Sequence, residues 1–405
     1  MTQKSIFILL FTIVQYATWA QPNQFRGINR DGIYPDTGLL DEWPEEGPPL
    51  VAAINGIGDG YGSPSIDEHG FYIAGMTDST GFISHFDHNR LLLWKVPYGK
   101  EFSFKYPGSR GTPTLEGDRL YYSGTMGDAF CMDARNGTMI WEVNIFDTYG
   151  GSQSKWGYTE SPLIYNDLVI LTPGGPGYNV VALDKNSGTL KWTLDLDSSI
   201  NAYCSPTLIR HRGKDLIMMN TTRDLLLIHP ATGEVAFRHN IAHPNDMHAI
   251  NPLYLEGKVF YSSGYDEGSV LYQINDENGT LDTIYYNGDL DCKLSGLIVV
   301  DGTVFGTSDR KKQWVGLDLA TGKTVFITRE LKPGSFLMAD EKFFIFTETG
   351  DVALALPGQK GFRIVSQFRI PADQVQLAFA HPVLYNGILY IRYRDHLWLY
   401  DVSKP

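Results

Sequence analysis

Basic charge, cysteine and long apolar runs are all scarce in this chain. Its 405 residues carry 33 Lys and Arg against 46 Asp and Glu, a formal net charge of -13. Phosphate binding needs a basic face, so no nucleic-acid partner is expected. The one tight basic run, Arg310-Lys311-Lys312, reads as a solvated loop tip. Three cysteines, Cys131, Cys204 and Cys292, cannot build a disulfide framework, and none are spaced as C-x-x-C. They read as small buried thiols, with one bridge and one leftover thiol as the alternative. No nucleophile elbow of G-x-S-x-G type and no phosphate-cradling glycine loop opening a helix are found. After the N-terminus, no apolar stretch is long enough to span a bilayer.

The first twenty residues stand apart. Lys4 precedes an apolar run from Ile6 to Val14, and Ala17-Thr18-Trp19-Ala20 ends in small residues. That is the layout of a cleavable secretory signal over residues 1–20, the alternative being an uncleaved anchor. Gln21 occupies the place where a lipid-anchored bacterial protein needs cysteine. The expected product is therefore soluble and exported, periplasmic or extracellular, and not a lipoprotein.

What the chain has in quantity is glycine, 42 residues, and aromatic rings, 13% of the sequence. They are distributed in a repeat. Its openings are Ser63-Pro64, Thr112-Pro113, Ser161-Pro162, Ser205-Pro206, Asn251-Pro252, Ser295-Gly296, Ser335-Phe336 and His381-Pro382. Eight copies at spacings of about 40 to 50 residues, filled with strands, predict an all-β, eight-bladed β-propeller of four-stranded antiparallel blades. Proline suits the first residue of an inner strand because it cannot donate to a ladder. In four copies a turn-opening residue is followed eight positions later by a bulky ring: Asp133 to Trp141, Asp184 to Trp192, His229 to Phe237, Asp318 to Phe326. Such rings are placed to wedge between blades. The fifth and seventh copies carry Thr283 and Val365 at that offset and are the irregular ones.

The last copy ends before a fourth strand, and 48–54 is strand-like. That segment is expected to complete the eighth blade and close the ring, with 48–405 as a single domain. Residues 21–47 then form an N-terminal extension lying over the body.

The pattern Asp-x-x-Thr/Asn-Gly followed by Trp resembles the tryptophan-docking repeat of the pyrroloquinoline-quinone-type (PQQ-like) eight-bladed propellers. The likeness extends to Phe25-Arg26-Gly27-Ile28-Asn29-Arg30-Asp31-Gly32, to Trp156 through Pro162 and to Thr172-Pro173-Gly174-Gly175. It implies the propeller fold over 25–402 and one of several roles. One branch comprises quinoprotein dehydrogenases that hold PQQ and calcium at the propeller mouth, often with an adjacent Cys-Cys pair that this chain lacks. Another is the cofactor-free scaffold propeller of outer-membrane assembly, and a third consists of exported propellers of unassigned role, which this chain fits best.

Loops entering the inner strands, with those joining each blade's second and third strands, should converge on one face, where closed β-rings bind ligands. They bring Arg110, Lys155, Trp156, Glu160, Tyr203, His248, Asn251, Lys293 and His381, a mixture able to hold a planar anion. The alternative for the same set is solvated loop tips and channel-lining groups bonded to one another. Glu160, next to the proline-opened strand, is expected to point toward the mouth, as a metal ligand, a general base or an ion-pair partner of Lys155 or Arg110. His243, Asp246 and His248 have spacing that suits a metal, though no further ligand is apparent. The expected function is a monomeric, non-catalytic binding or scaffold propeller for a partner protein or small polar ligand. A PQQ/calcium-dependent dehydrogenase is the runner-up, followed by a carbohydrate-related role.

Overall fold

The computed structural model describes residues 23–405, apart from 198–199, 246 and 374–375. Eight four-stranded antiparallel sheets follow one another as blades 1 to 8. Seven are contiguous: 65–100, 114–144, 163–194, 207–240, 253–287, 298–328 and 334–369. Blade 8 takes three strands from 383–401, and its outermost strand, Leu50–Asn55, pairs antiparallel with His396–Asp401. The ring is thus closed by the two ends of the chain, as the strand-like segment at 48–54 predicted. Among the described residues one short helix, Ile145–Tyr149, follows blade 2.

The residues that open each repeat hold neighbouring blades together. Ser63 N–H donates to Thr112 Oγ1 (3.1 Å), Thr112 N–H to Ser161 Oγ (3.0 Å), and Ser161 N–H to Ser205 Oγ (2.9 Å). Each hydroxyl satisfies a buried backbone donor of the preceding blade, which explains Ser or Thr there. Asn251 continues the series by donating its side-chain amide to the Ser205 carbonyl at 2.7 Å.

The outer strands supply the second clasp. Every outer strand carries a β-bulge, and in blades 1 to 6 the residue just after it is a ring: Trp94, Trp141, Trp192, Phe237, Tyr285 and Phe326. A bulge breaks the period of two and re-aims the next side chain. Trp141 Nε1–H then donates to the Lys185 carbonyl (2.9 Å) and Trp192 Nε1–H to that of Pro230 (3.0 Å). The ring lies on the turn glycine of the next blade, Gly188 or Gly233, where a Cβ would collide with the indole. Blade 5 is regular after all. Its hairpin runs four residue pairs, from Asn275–Thr280 to Tyr272–Thr283, before the bulge, so the ring falls at Tyr285, whose hydroxyl donates to the Leu319 carbonyl at 2.8 Å. Blade 7 does lack the ring: Ser366 follows its bulge and accepts from the Trp43 backbone N–H at 2.8 Å. Trp43 packs there against Phe344 and Phe368 in a shared core of blades 7 and 8.

The N-terminal extension enters the central channel with residues 23–33 and turns back there, and from Asp36 to Trp43 it lies against blades 7 and 8. Asn23 pairs with Leu115 on the inner strand of blade 2, and Ile33 with Met338 on the inner strand of blade 7. The two limbs run in opposite directions along the channel. Between them Arg30 donates from Nη1 to the carbonyls of Ser161 (3.1 Å) and Pro206 (2.8 Å), and from Nη2 to that of Pro162 (2.7 Å). Arg26 donates to the Leu297 carbonyl of blade 6 at 3.1 Å. A single segment therefore touches the inner strands or strand openings of blades 2, 3, 4, 6 and 7 and plugs the axis. The arginines suit this task because a guanidinium has five donors in a rigid fork, matching carbonyls that converge from several sides.

Candidate functional site at the propeller mouth

The lead-in to each inner strand is extended, so its side chains alternate in direction. The residue two positions ahead of the opening faces the axis in seven blades: Tyr61, Arg110, Thr159, Tyr203, Ala249, Lys293 and Phe379 all line one funnel. Tyr106, Trp156 and Leu377 add to its wall, and Tyr265, Asp309, Lys312 and Glu348 come from the loops joining second and third strands. Phe25, at the tip of the axial plug, forms its floor and packs edge-on against His381 with ring centroids 5.2 Å apart. The funnel encloses about 240 Å3. It opens on the face where the sequence placed the converging loops.

Its two halves differ. On the side of blades 8 and 1 to 3 the rings of Tyr61, Tyr106 and Phe379 form a triangle, with centroids 5.5 to 6.4 Å apart, and Trp156 lies beyond Tyr106 at 6.3 Å. The Arg110 guanidinium sits among them, 4.9 Å from the Phe102 ring centroid and 5.5 Å from that of Tyr61. On the other side, Lys293 and Lys312 neutralise Asp309 at 3.9 and 3.2 Å. Burial holds the Glu348 carboxyl above its usual range there, against the pull of Lys312.

Of the candidates named from sequence, Arg110, Trp156, Tyr203, Lys293 and His381 line the funnel. Lys155 is an exposed neighbour whose ammonium lies 5.2 Å over the Trp156 ring. Three others lie behind the wall. Glu160 is one position ahead of its opening residue, so the alternation turns it inward and gives the funnel-facing place to Thr159. It pairs with neither Lys155 nor Arg110. Its carboxylate accepts from the hydroxyls of Thr172 and Tyr158, its Oε1 has no partner, and burial, opposed by those bonds and by Arg30, raises its pKa well above the usual value. His248 is fully enclosed, bonded to the Tyr261 hydroxyl and the Thr222 carbonyl, and burial lowers it to about 4. Asn251 belongs to the inter-blade series. His243 bonds to Ser263 and accepts from the Asn245 N–H, while Asp246 lies outside the described residues. No group of three or more His, Cys, Asp or Glu is placed to hold a metal among the described residues.

Sequence reading missed Tyr61, Tyr106, Phe379 and the Asp309–Glu348 side of the funnel. The signal for part of this was present: the position two ahead of the opening residue lines the wall in seven of the eight copies.

A family model described as outer membrane protein assembly factor BamB matches residues 79–328. The chain belongs to this family. Among BamB proteins, that of Moranella endobia (strain PCIT) is 27% identical over 161 residues, 37% of either chain, so the match spans well under half the length of this curated relative. The solved BamB from Moraxella catarrhalis superposes with a TM-score of 0.62 over 87% of this chain and 99% of its own, at 15% identity. Quinohemoprotein alcohol dehydrogenase from Comamonas testosteroni follows with a TM-score of 0.55 over 96% and 82%, at 11% identity. These likenesses show the fold, which BamB shares with quinone enzymes. The funnel's donor set does not fit a calcium-held quinone: calcium takes about six to eight oxygen ligands, whereas the wall's Asp309 is already ion-paired to two lysines.

Proposed function

We propose that this BamB-family chain is an exported, non-catalytic docking propeller, whose funnel seats part of a partner protein in outer-membrane assembly. The observation that carries the reading is the ring of seven lead-in residues with its aromatic half, set over a floor made by the chain's own axial plug. Such a surface is preorganised, because each wall residue is fixed by a blade rather than by a free loop, and preorganisation lowers the ordering cost of binding. Tyr, Trp and Arg, which dominate that half, are the residues enriched in interface hot spots. Family membership supports a role beside outer-membrane assembly. Gln21 at the expected signal boundary supports a free rather than lipid-anchored form.

The test replaces Tyr61, Tyr106 and Phe379 together by Ala in the native host and measures assembled outer-membrane protein. Lys214→Ala, on an exposed turn of the opposite face, is the control. Reduced assembly at unchanged chain level supports the reading, whereas assembly equal to that of the control contradicts it.

A further inference from the structure

Arg110 carries an inference that rests on the funnel being a docking site and goes on to name what enters it. Its guanidinium is the only cation in the aromatic half of the described funnel wall. One terminal nitrogen, Nη2, donates to the Tyr106 carbonyl at 2.8 Å; Nε is buried with no partner, and Nη1 makes no hydrogen bond within the described residues. No carboxylate pairs with it among the described residues. Glu101, an acid whose charge acts on it, is enclosed and bonded to Tyr98 and Thr125. Lys293 and Lys312, across the funnel, face the two acids Asp309 and Glu348, whereas Arg110 makes no ion pair among the described residues.

A buried guanidinium held between two rings with an open donor edge is a receptor for a carboxylate, which it can grip with two parallel hydrogen bonds. The rings of Tyr61, Tyr106 and Phe379 surround the same spot and suit an aromatic group in edge-to-face contact. The space of about 240 Å3 is small against pockets for drug-sized molecules, roughly 300–1,000 Å3. It suits one ring and the carboxylate attached to it. We infer that the funnel captures the free carboxyl terminus of a partner polypeptide ending in an aromatic residue. The side formed by Lys293, Lys312, Asp309 and Glu348 then faces the peptide groups that precede the terminus.

The experiment titrates the full exported chain with acetyl-Gly-Phe as the free acid, with its C-terminal amide, and with 3-phenylpropionate, using calorimetry. The acid should bind at least about tenfold more tightly than the amide, the difference expected from a charge-assisted hydrogen-bond pair. Arg110→Gln should abolish that preference and Arg110→Lys restore part of it, while Tyr106→Ala weakens acid and amide alike. Melting temperatures of the variants show that each is folded. Equal binding of acid and amide, no binding of either, or a preference that survives Arg110→Gln overturns the inference. Phenylpropionate binding as well as the peptide acid overturns it too, in favour of a small aromatic acid. None of these results touches the assembly test above, so the docking reading can stand where this inference falls.

Discussion

Arg30 Nη2 donates to the Pro162 carbonyl at 2.7 Å, which ties the N-terminal segment to the opening of blade 3 from inside the channel. The same guanidinium reaches Ser161 and Pro206. Arg30 therefore serves as an axle pin, joining blades 3 and 4 from inside the channel in addition to the hydrogen bond between their opening serines.

Removing it should cost the whole ring. Arg30→Ala strands three buried carbonyls and takes away the nearest positive charge to Glu160. A loss of about 3 kcal/mol or more is expected in urea unfolding, from the desolvated acceptors alone. Arg30→Lys should recover only part of it, since an ammonium cannot span acceptors on two blades as a planar fork does. A change below about 0.5 kcal/mol in Arg30→Ala, the range of ordinary surface substitutions, would show that the plug is not structural.

The inter-blade clasp makes a separable prediction in blade 4. Gly213 and Gly233 both have positive φ, +79° and +76°, but a Cβ on Gly213 meets nothing within 4 Å, whereas one on Gly233 falls 2.6 Å from Trp192 Cε3. Ala at either position incurs the left-handed backbone penalty of about 1 kcal/mol. Gly233→Ala should cost a further 1–3 kcal/mol, roughly, because the indole must shift. Equal effects of the two substitutions on the urea midpoint would show that the ring-on-glycine contact contributes nothing.

These features differ in how far the sequence discloses them. The repeat openings and the Trp offsets are local and periodic, so the blades, their order and the closing strand were legible. Tyr285 was hidden because a longer hairpin moves the bulge, and a fixed offset cannot see a bulge. The axial plug was illegible in another sense: nothing in Phe25 to Gly32 states that carbonyls from blades 3 and 4 will meet at Arg30. In the funnel, Arg110, Trp156, Tyr203 and Lys293 were found because polar or aromatic residues near loop tips attract notice. Glu160 was misdirected by adjacency to the opening strand, when period-two alternation puts it on the buried face.

Buried His248 and half-buried His381 make the fold sensitive to acid. Burial, helped by neighbouring positive groups, lowers His248 to about 4 and His381 to about 3, from an ordinary 6.5. The unfolded chain therefore binds more protons than the native one between those values, and stability falls as pH drops below 6.5. A shift of this size corresponds to roughly 3 kcal/mol for His248. His248→Gln should flatten the loss between pH 6.5 and 4; an unchanged slope would mean the site accepts a proton without cost.

Glu160 works with the opposite sign. Its carboxyl is held well above the ordinary 4.5, chiefly by burial, so the native state keeps a proton that the unfolded chain releases. Stability should decline as pH rises above 4.5 toward its folded value. Glu160→Gln should remove that decline and leave the protein as stable as wild type or more so at about pH 8, while Glu160→Ala opens a cavity and destabilises it. If the Gln variant retains the alkaline decline, the proton belongs to another group.

The central claim is that the funnel, rather than the rim or the far face, meets the partner. The direct measurement is photo-crosslinking in the native host with benzoylphenylalanine placed singly at Tyr106, Phe379 and Lys214. The account predicts a discrete protein adduct from Tyr106 and Phe379 and none from Lys214. An adduct from Lys214 with none from the two funnel positions would contradict it.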